Sequence, residues 1–507
     1  MVTVTEVVEK LQFTFQLEEI EELLSSFSKL SSEEQEAQRI EVAQKVFVLA
    51  FADDAVPEDS AKFAENKTSV WSTNCSLSPK LFLTPKTTEE VAAALLLCQF
   101  LGLFFSVRGG GHTQNPGWTS NDNGVVISMS KFRQLEITEG KRTVNVGPGL
   151  TWNDVYNGLE PEGITVTGGR IPTVGVPGLV LGGGLSFQNS EYGLSCMGVV
   201  RYEVVLANGS VVNATENENP DLFWALKGGG ANYGIVTNFE MTAVKHDAWC
   251  EVRVVAHADS AKYMEALIPF SDAIENDTHA SIIFNETAEI TVVVMFYTAA
   301  VDNKPKIFEP FYDLPYLTHL VPPAKRTIAQ ILQAVKDVNQ PGIPRCHDFA
   351  TASSLPDLEA YKAGAEARLK VVEELKGTSV EAVMVIQPLS SLMVQACQKM
   401  GGNPLGLDPR GQQWFLVEMD YEQKDEVQAR AAGKAILDAF ETKAKENGTW
   451  LPFKYCNYSS RDQDPLASYG EENLKKLREI AAKYDPDEVF QKLQFGGWLL
   501  SRAGQLQ

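Results

Sequence analysis

Three glycine-dense stretches, each set against an apolar run, crowd into about 130 residues of this chain. The first follows Phe104-Phe105-Ser106-Val107 as Arg108-Gly109-Gly110-Gly111-His112-Thr113. The second runs from Gly168-Gly169-Arg170-Ile171-Pro172-Thr173-Val174-Gly175 through Gly178 to Leu181-Gly182-Gly183-Gly184. The third is Lys227-Gly228-Gly229-Gly230, continued by Asn232-Tyr233-Gly234-Ile235-Val236. Backbone without side chains packs closely along an extended ligand, and successive glycine N–H groups can turn toward an anion. None of the three is the GxGxxG turn with an acidic residue about 20 positions on, so the expected nucleotide needs a different architecture.

At 507 residues the chain suits two domains and a sizeable core. Its 44 basic and 66 acidic side chains leave a formal charge of −22, which argues against nucleic acid or an anionic membrane as partner. Seven cysteines form no CxxC pair and no metal-ligand spacing, and the histidines at 246, 257, 279, 319 and 347 show no pairing that suggests a metal site, so none is expected. The N-terminus has acidic residues where a signal peptide is basic, which makes an intracellular location the expectation. Eight N-x-S/T sequons are the feature that would suit a secreted relative.

Residues 1–50 alternate Leu, Ile and Val with acidic residues at helical spacing, which predicts a helical segment packed on its own domain. Thr87 followed by acidic residues predicts a helix start; Gln99 and Gly102 interrupt the apolar run that follows, so a helix and then a strand are expected rather than a membrane span. Strands are predicted at 125–128, 142–146, 202–206, 210–212, 288–296 and 414–421, and helices at 359–375 and 424–443.

The three glycine clusters, with Asp221-Leu222-Phe223-Trp224-Ala225-Leu226 before the third and Tyr455-Cys456-Asn457-Tyr458 near the C-terminus, resemble the berberine bridge enzyme-like oxidoreductases. These belong to the vanillyl-alcohol oxidase, or PCMH-type, flavoproteins. The resemblance covers nearly everything from about Pro79 onward. It implies an α+β fold: a split FAD-binding domain, 51–250 and 450–507, around a substrate domain, 251–449, whose antiparallel sheet is flanked by helices and roofs the flavin.

It also implies roles. His112 is expected to bond covalently to the flavin 8α carbon, a tether that raises the reduction potential. Arg108, Gly109, Gly110, Gly111, Thr113, Thr173, Val174, Gly175, Gly178, Gly182, Gly183, Asn232, Gly234, Ile235, Val236 and Asn457 are expected to line the FAD. Ile171 stands where bicovalent members carry a cysteine, so a single link is expected. Valine at 174 goes with oxygen access to the flavin. Tyr455 matches the tyrosine that activates substrate, although a phenol of pKa about 10 needs a cation or hydrogen bonds to act as base. Asp408, Glu418 and Asp420 are the carboxylate alternatives, with Glu418 and Asp420 on one strand face. Tyr458 is expected to pack.

The expected activity is that of an oxidase: hydride from a small organic or specialised metabolite to flavin N5, then O2 reduced to H2O2. A redox-neutral isomerase or cyclase using the same pocket is the alternative, and a flavin-binding storage protein is a third reading. A small-molecule substrate and O2 are the expected partners, with monomer and homodimer both open.

Overall fold

The structure is a computed structural model that describes residues 2–299, 301–338 and 345–505. Three N-terminal helices, Val4–Lys10, Leu17–Ser28 and Ser32–Phe51, replace the single amphipathic run that the spacing suggests. Thr3 and Ser31 open the first and third with capping boxes, each side-chain oxygen accepting from the N–H of the glutamate three residues on. Their apolar faces, including Val7, Leu24 and Phe47, are buried against the helix Thr88–Leu101. That helix starts at Thr87, whose hydroxyl accepts from Glu90 N–H, and stops at Gly102 in the left-handed conformation (φ 64°). No helix among the described residues is long and apolar enough to cross a membrane.

The strand after Gly102, Phe105–Arg108, lies parallel to Val125–Ser128, which is parallel to Leu81–Leu83; Ala55–Pro57 completes a four-stranded sheet. A second, five-stranded antiparallel sheet has the order Leu135–Ile137, Thr143–Val146, Ile235–Thr242, Val199–Val205, Val211–Ala214. The first glycine cluster leaves the end of Phe105–Arg108, the second follows Ile164–Thr165, which pairs with Val244–Lys245 in a separate two-stranded sheet, and the third leads into the strand Ile235–Thr242.

An eight-stranded antiparallel sheet forms the other half of the molecule. It opens with Asp247–Ala256, so position 250 lies inside a strand, and its last strand by sequence is Trp450–Leu451. Strict alternation gives it two faces. Phe284, Val293, Met295, Ile386, Phe415 and Val417 sit in a core closed by the helices Ser260–Ala273, Leu358–Glu374 and Glu426–Glu446. The opposite face, with Val292, Val294, Phe296 and Trp414, joins the core that holds Tyr455 and the second glycine cluster. On the strand Gln412–Tyr421 that inner face continues through Leu416 to Glu418 and Asp420, so the sheet presents two carboxylates toward the glycine loops.

Candidate active site

The first and second glycine clusters meet backbone to backbone. A Cβ on Gly110 would lie 2.5 Å from Gly175 Cα, and one on Gly109 would lie 2.4 Å from Pro177 Cγ. The second and third meet where Gly230 N–H donates to Leu181 O at 3.0 Å. Glycine is required here by proximity, and at Gly111 also by a φ of +67°. At the carboxyl ends of the parallel strands, Arg108, Gly109, Gly110, Ser128, Ser130 and Lys131 help line a cavity of about 330 Å³, the usual place for a ligand on such a sheet.

His112 sits at the rim of the first loop. Its Nε2 is 3.0 Å from Thr173 Oγ1, and burial pushes its pKa down to about 4, so the imidazole is neutral at physiological pH. The indole of Trp71 stacks on it with centroids 4.3 Å apart, and the other face of Trp71 stacks on His347 at 3.8 Å. A strap holds that sandwich together: Trp71 N–H donates to Gly111 O and Thr73 N–H to Arg345 O, both at 3.0 Å, and Ser72 Oγ accepts from His347 N–H at 2.8 Å. The glycine loop is thereby fastened to the eight-stranded sheet.

His347 pairs across the sheet with Asp420, and its Nδ1 is hydrogen-bonded to the Asp420 carboxylate. Glu418 completes a group whose ligand atoms lie within 4.8 Å of one another. The expectation that no histidine is grouped as in a metal site therefore fails at His347; His257, His279 and His319 meet single carboxylates, Glu286, Glu191 and Glu251. Burial, and after it the charge of Asp420, push the Glu418 carboxyl up to about 8.

The other candidate bases are placed differently. Asp408 lies outside this group, with both carboxylate oxygens taken by Arg410, which holds its pKa below the ordinary value. Tyr455 is 1% exposed, and its hydroxyl accepts from Leu185 N–H at 3.0 Å and Asn457 Nδ2 at 2.9 Å. Burial raises its pKa far above that of a free phenol. No cation touches it among the described residues, so these two hydrogen bonds are the only support its phenolate would have, and its ring packs against Trp414 and Tyr458. Tyr455→Phe is expected to leave two buried donors unsatisfied and cost about 1–3 kcal/mol, with flavin content unchanged; thermal unfolding against bound flavin checks it. The tyrosine beside a cation is Tyr458, whose hydroxyl accepts from Arg170 Nη2 at 2.7 Å.

Among the cofactor residues, Arg108 gives Nε and Nη1 to the carbonyls of Thr119 and Asn66, which braces the loop, while its Nη2 is a buried donor without a partner. Thr113 Oγ1 accepts from Asn115 N–H. Asn232 is corrected to a structural tie: it donates to Gly229 O and Trp498 O and accepts from Gln491 and Leu500, which leaves its side chain nothing to offer a ligand. Gly234 packs on Val204, and the side chains of Ile235 and Val236 are buried in the cores, so only backbone there can meet a cofactor. Asn457 lies against Gly182, where a Cβ would come within 2.0 Å of its Oδ1, and donates to Leu179 O. Gly183, with φ +101°, faces Leu405 and Tyr455.

The residues present fit FAD. The amides of Gly110 and Gly111 donate to no backbone carbonyl among the described residues. Ile171 is 43% exposed although apolar, Thr173 on the same loop and Gly178 in the helix that follows it are exposed, and nothing lies within 4 Å of a Gly178 Cβ. Trp71, His347, Arg170 and Gln387 are site residues that sequence reasoning missed. Arg170 stood inside a quoted cluster, whereas the other three carry no local signal.

Known proteins share the family and the fold. A family model described as FAD binding domain matches residues 79–215, and one described as berberine and berberine like matches 454–494. An FAD-dependent monooxygenase of Arthrobotrys oligospora is 35% identical over 439 residues, covering 85% of this chain and 84% of the relative. Xylooligosaccharide oxidase from Myceliophthora thermophila C1, solved with xylobiose, superposes with a TM-score of 0.75 at 20% identity, over 90% of this chain and 99% of that one. Glucooligosaccharide oxidase from Acremonium strictum, with a 6-S-cysteinyl, 8α-N1-histidyl FAD, gives 0.74 at 18%, over 89% and 97%. The chain belongs to the berberine bridge enzyme-like family of FAD-dependent oxidoreductases.

Proposed function

We propose that the protein is an oxidase of a small organic substrate, with O2 as final acceptor and H2O2 as product, and that it holds FAD through one covalent bond to His112. The observation that carries this reading is the stack of His112, Trp71 and His347, which sets the histidine of the glycine loop beside the Glu418 and Asp420 face of the sheet. When bound, FAD supplies the acceptor for a hydride from substrate carbon. Glu418 takes the accompanying proton, and the His347–Asp420 pair is the next acceptor along. Trp71 covers one face of the His112 ring and keeps water from it.

His112 supports the bond because it is neutral and because Thr173 engages its Nε2, so that Nδ1, held only by its own backbone, is the nitrogen that would turn to the flavin. That is the nitrogen type named for glucooligosaccharide oxidase. Ile171, exposed where a cysteine would give a second bond, keeps the link single. Val174, partly buried beside Thr173, leaves room for O2.

Acid precipitation tests the tether. The wild-type pellet is expected to be yellow and heavier by one FAD, and the His112→Ala pellet colourless; a yellow His112→Ala pellet overturns the assignment. With a substrate in hand, one H2O2 per product supports the oxidase. Oxygen from O2 found in the product marks a monooxygenase, and turnover without O2 uptake marks an isomerase or cyclase.

A further inference from the structure

We propose that Arg170, Tyr458 and Gln387 form an oxyanion-binding subsite, so that the substrate carries an ionised oxygen group such as a carboxylate or an acidic enol. This rests on the oxidase reading above and names the class of molecule it acts on.

Arg170 is partly buried, and its guanidinium meets two neutral groups: Nη2 donates to Gln387 Oε1 at 2.5 Å and to Tyr458 Oη at 2.7 Å. It makes no ion pair among the described residues, although the chain carries 66 acidic side chains. Three other partly or fully buried arginines find carboxylates, Arg201 with Glu240, Arg253 with Glu251 and Arg368 with Glu286, whereas Arg170, like Arg108 in the glycine loop, has none. Removing a cation from water without a counter-charge is unfavourable, and an anionic ligand supplies one.

Gln387 adds a second observation. It is 1% exposed, and its Nε2 is a buried donor without a partner. The amide cannot be turned round, because that would set its NH2 against the Arg170 donors. Oε1 therefore faces the arginine, and a donor is left over. The Tyr458 hydroxyl sends its hydrogen no nearer than 3.4 Å, to the same Oε1. The cluster has donors to spare and no carboxylate, which is the composition that recognises an oxyanion, and a guanidinium fork does so with two parallel bonds.

The subsite belongs to the same cleft as the histidine. The Tyr458 ring lies 6.4 Å from that of Phe349, which lies 5.5 Å from Trp71, the ring stacked on His112. Gln387 pairs with Trp414, and Glu418 is four residues further along that strand. At about 3.3 Å per residue the anchor and the base are separated by about 13 Å. A molecule that spans part of that length can hold its acidic group on Arg170 while presenting a distant carbon near Glu418.

The test uses the holoenzyme and follows its flavin absorbance during titration with benzoate and hexanoate, and with benzamide and hexanamide as neutral counterparts. At least one carboxylate is expected to bind at least 10-fold more tightly than its amide. Arg170→Gln and Tyr458→Phe are expected to weaken that carboxylate at least 10-fold and the amide hardly at all, and Arg170→Lys to restore part of the loss. Equal affinities for acid and amide, no response to either acid, or full carboxylate binding by Arg170→Gln would overturn the proposal. Flavin content and H2O2 formation are read on the same preparations. Protein without FAD defeats the oxidase reading; protein with FAD that ignores carboxylates defeats this inference alone.

Discussion

A Glu418→Gln variant is expected to keep its flavin and lose about 10²–10⁴-fold in kcat/KM, the range associated with a general base. Glutamine preserves the shape of the side chain and removes the proton acceptor, so the loss reports chemistry rather than packing. In the wild type the carboxyl is pushed up to about 8, so it is protonated and unable to accept below that pH and ionised above it. The rate should therefore rise with pH through about 8, and the glutamine variant should lack that limb. The same shift bears on stability with the opposite sign. Between the unfolded value of about 4.3 and 8 the unfolded chain releases a proton that the native state retains, so stability falls as pH rises across that window. Glu418→Gln removes this term, and thermal unfolding at pH 8 should show the inactive variant more stable than the wild type. A variant that keeps its rate, or a wild-type profile flat across pH 8, would remove Glu418 from the mechanism.

Gly110→Val is expected to abolish flavin loading. Its Cβ would fall 2.5 Å from Gly175 Cα and 2.6 Å from Gly175 N. Both are backbone atoms that cannot rotate aside, so the two loops must separate. Overpacking of side chains costs about 1–3 kcal/mol, and a clash between backbones belongs at or above the top of that range. Gly178→Ala is the informative contrast, because nothing lies within 4 Å of its Cβ and it stands inside the short helix Val176–Leu181. Without cofactor it should be as stable as the wild type or gain about 0.5–1 kcal/mol from lost unfolded-state freedom. With cofactor it should load less FAD, because the methyl group projects from the exposed side of that helix. Equal loading by both variants would move the flavin away from these glycines.

Much of the fold was legible because its signals are local. Thr87 and Gly102 bracket one helix by capping chemistry, and the strand that follows delivers the glycine loop where the apolar run places it. Glu418 and Asp420 share a face because strand periodicity is two. The site was less legible wherever it depends on which residue lies opposite which. His347 meets Asp420 through the register of two strands about 70 residues apart in sequence, which neither segment encodes alone. The 3₁₀ turn Cys456–Tyr458 decides which tyrosine goes into the core and which meets Arg170. Asn232 looked like a ligand residue beside glycines, and three of its four hydrogen bonds were invisible until the C-terminal segment was folded over it.

The strand that delivers the histidine is finished by residues made much later. Phe105 N–H donates to Leu493 O, and Phe105 O accepts from Phe495 N–H, both at 2.9 Å, a parallel bridge to Gln494 about 390 residues further on. During synthesis at roughly 5–20 residues per second, that edge waits about 20–80 s for its partner. An open, apolar strand edge is a template for wrong pairing over just such an interval. The nascent chain is thus most vulnerable before release, and its yield should depend on chaperones that cover the edge and on slowed, cool expression more than on the stability of the finished molecule.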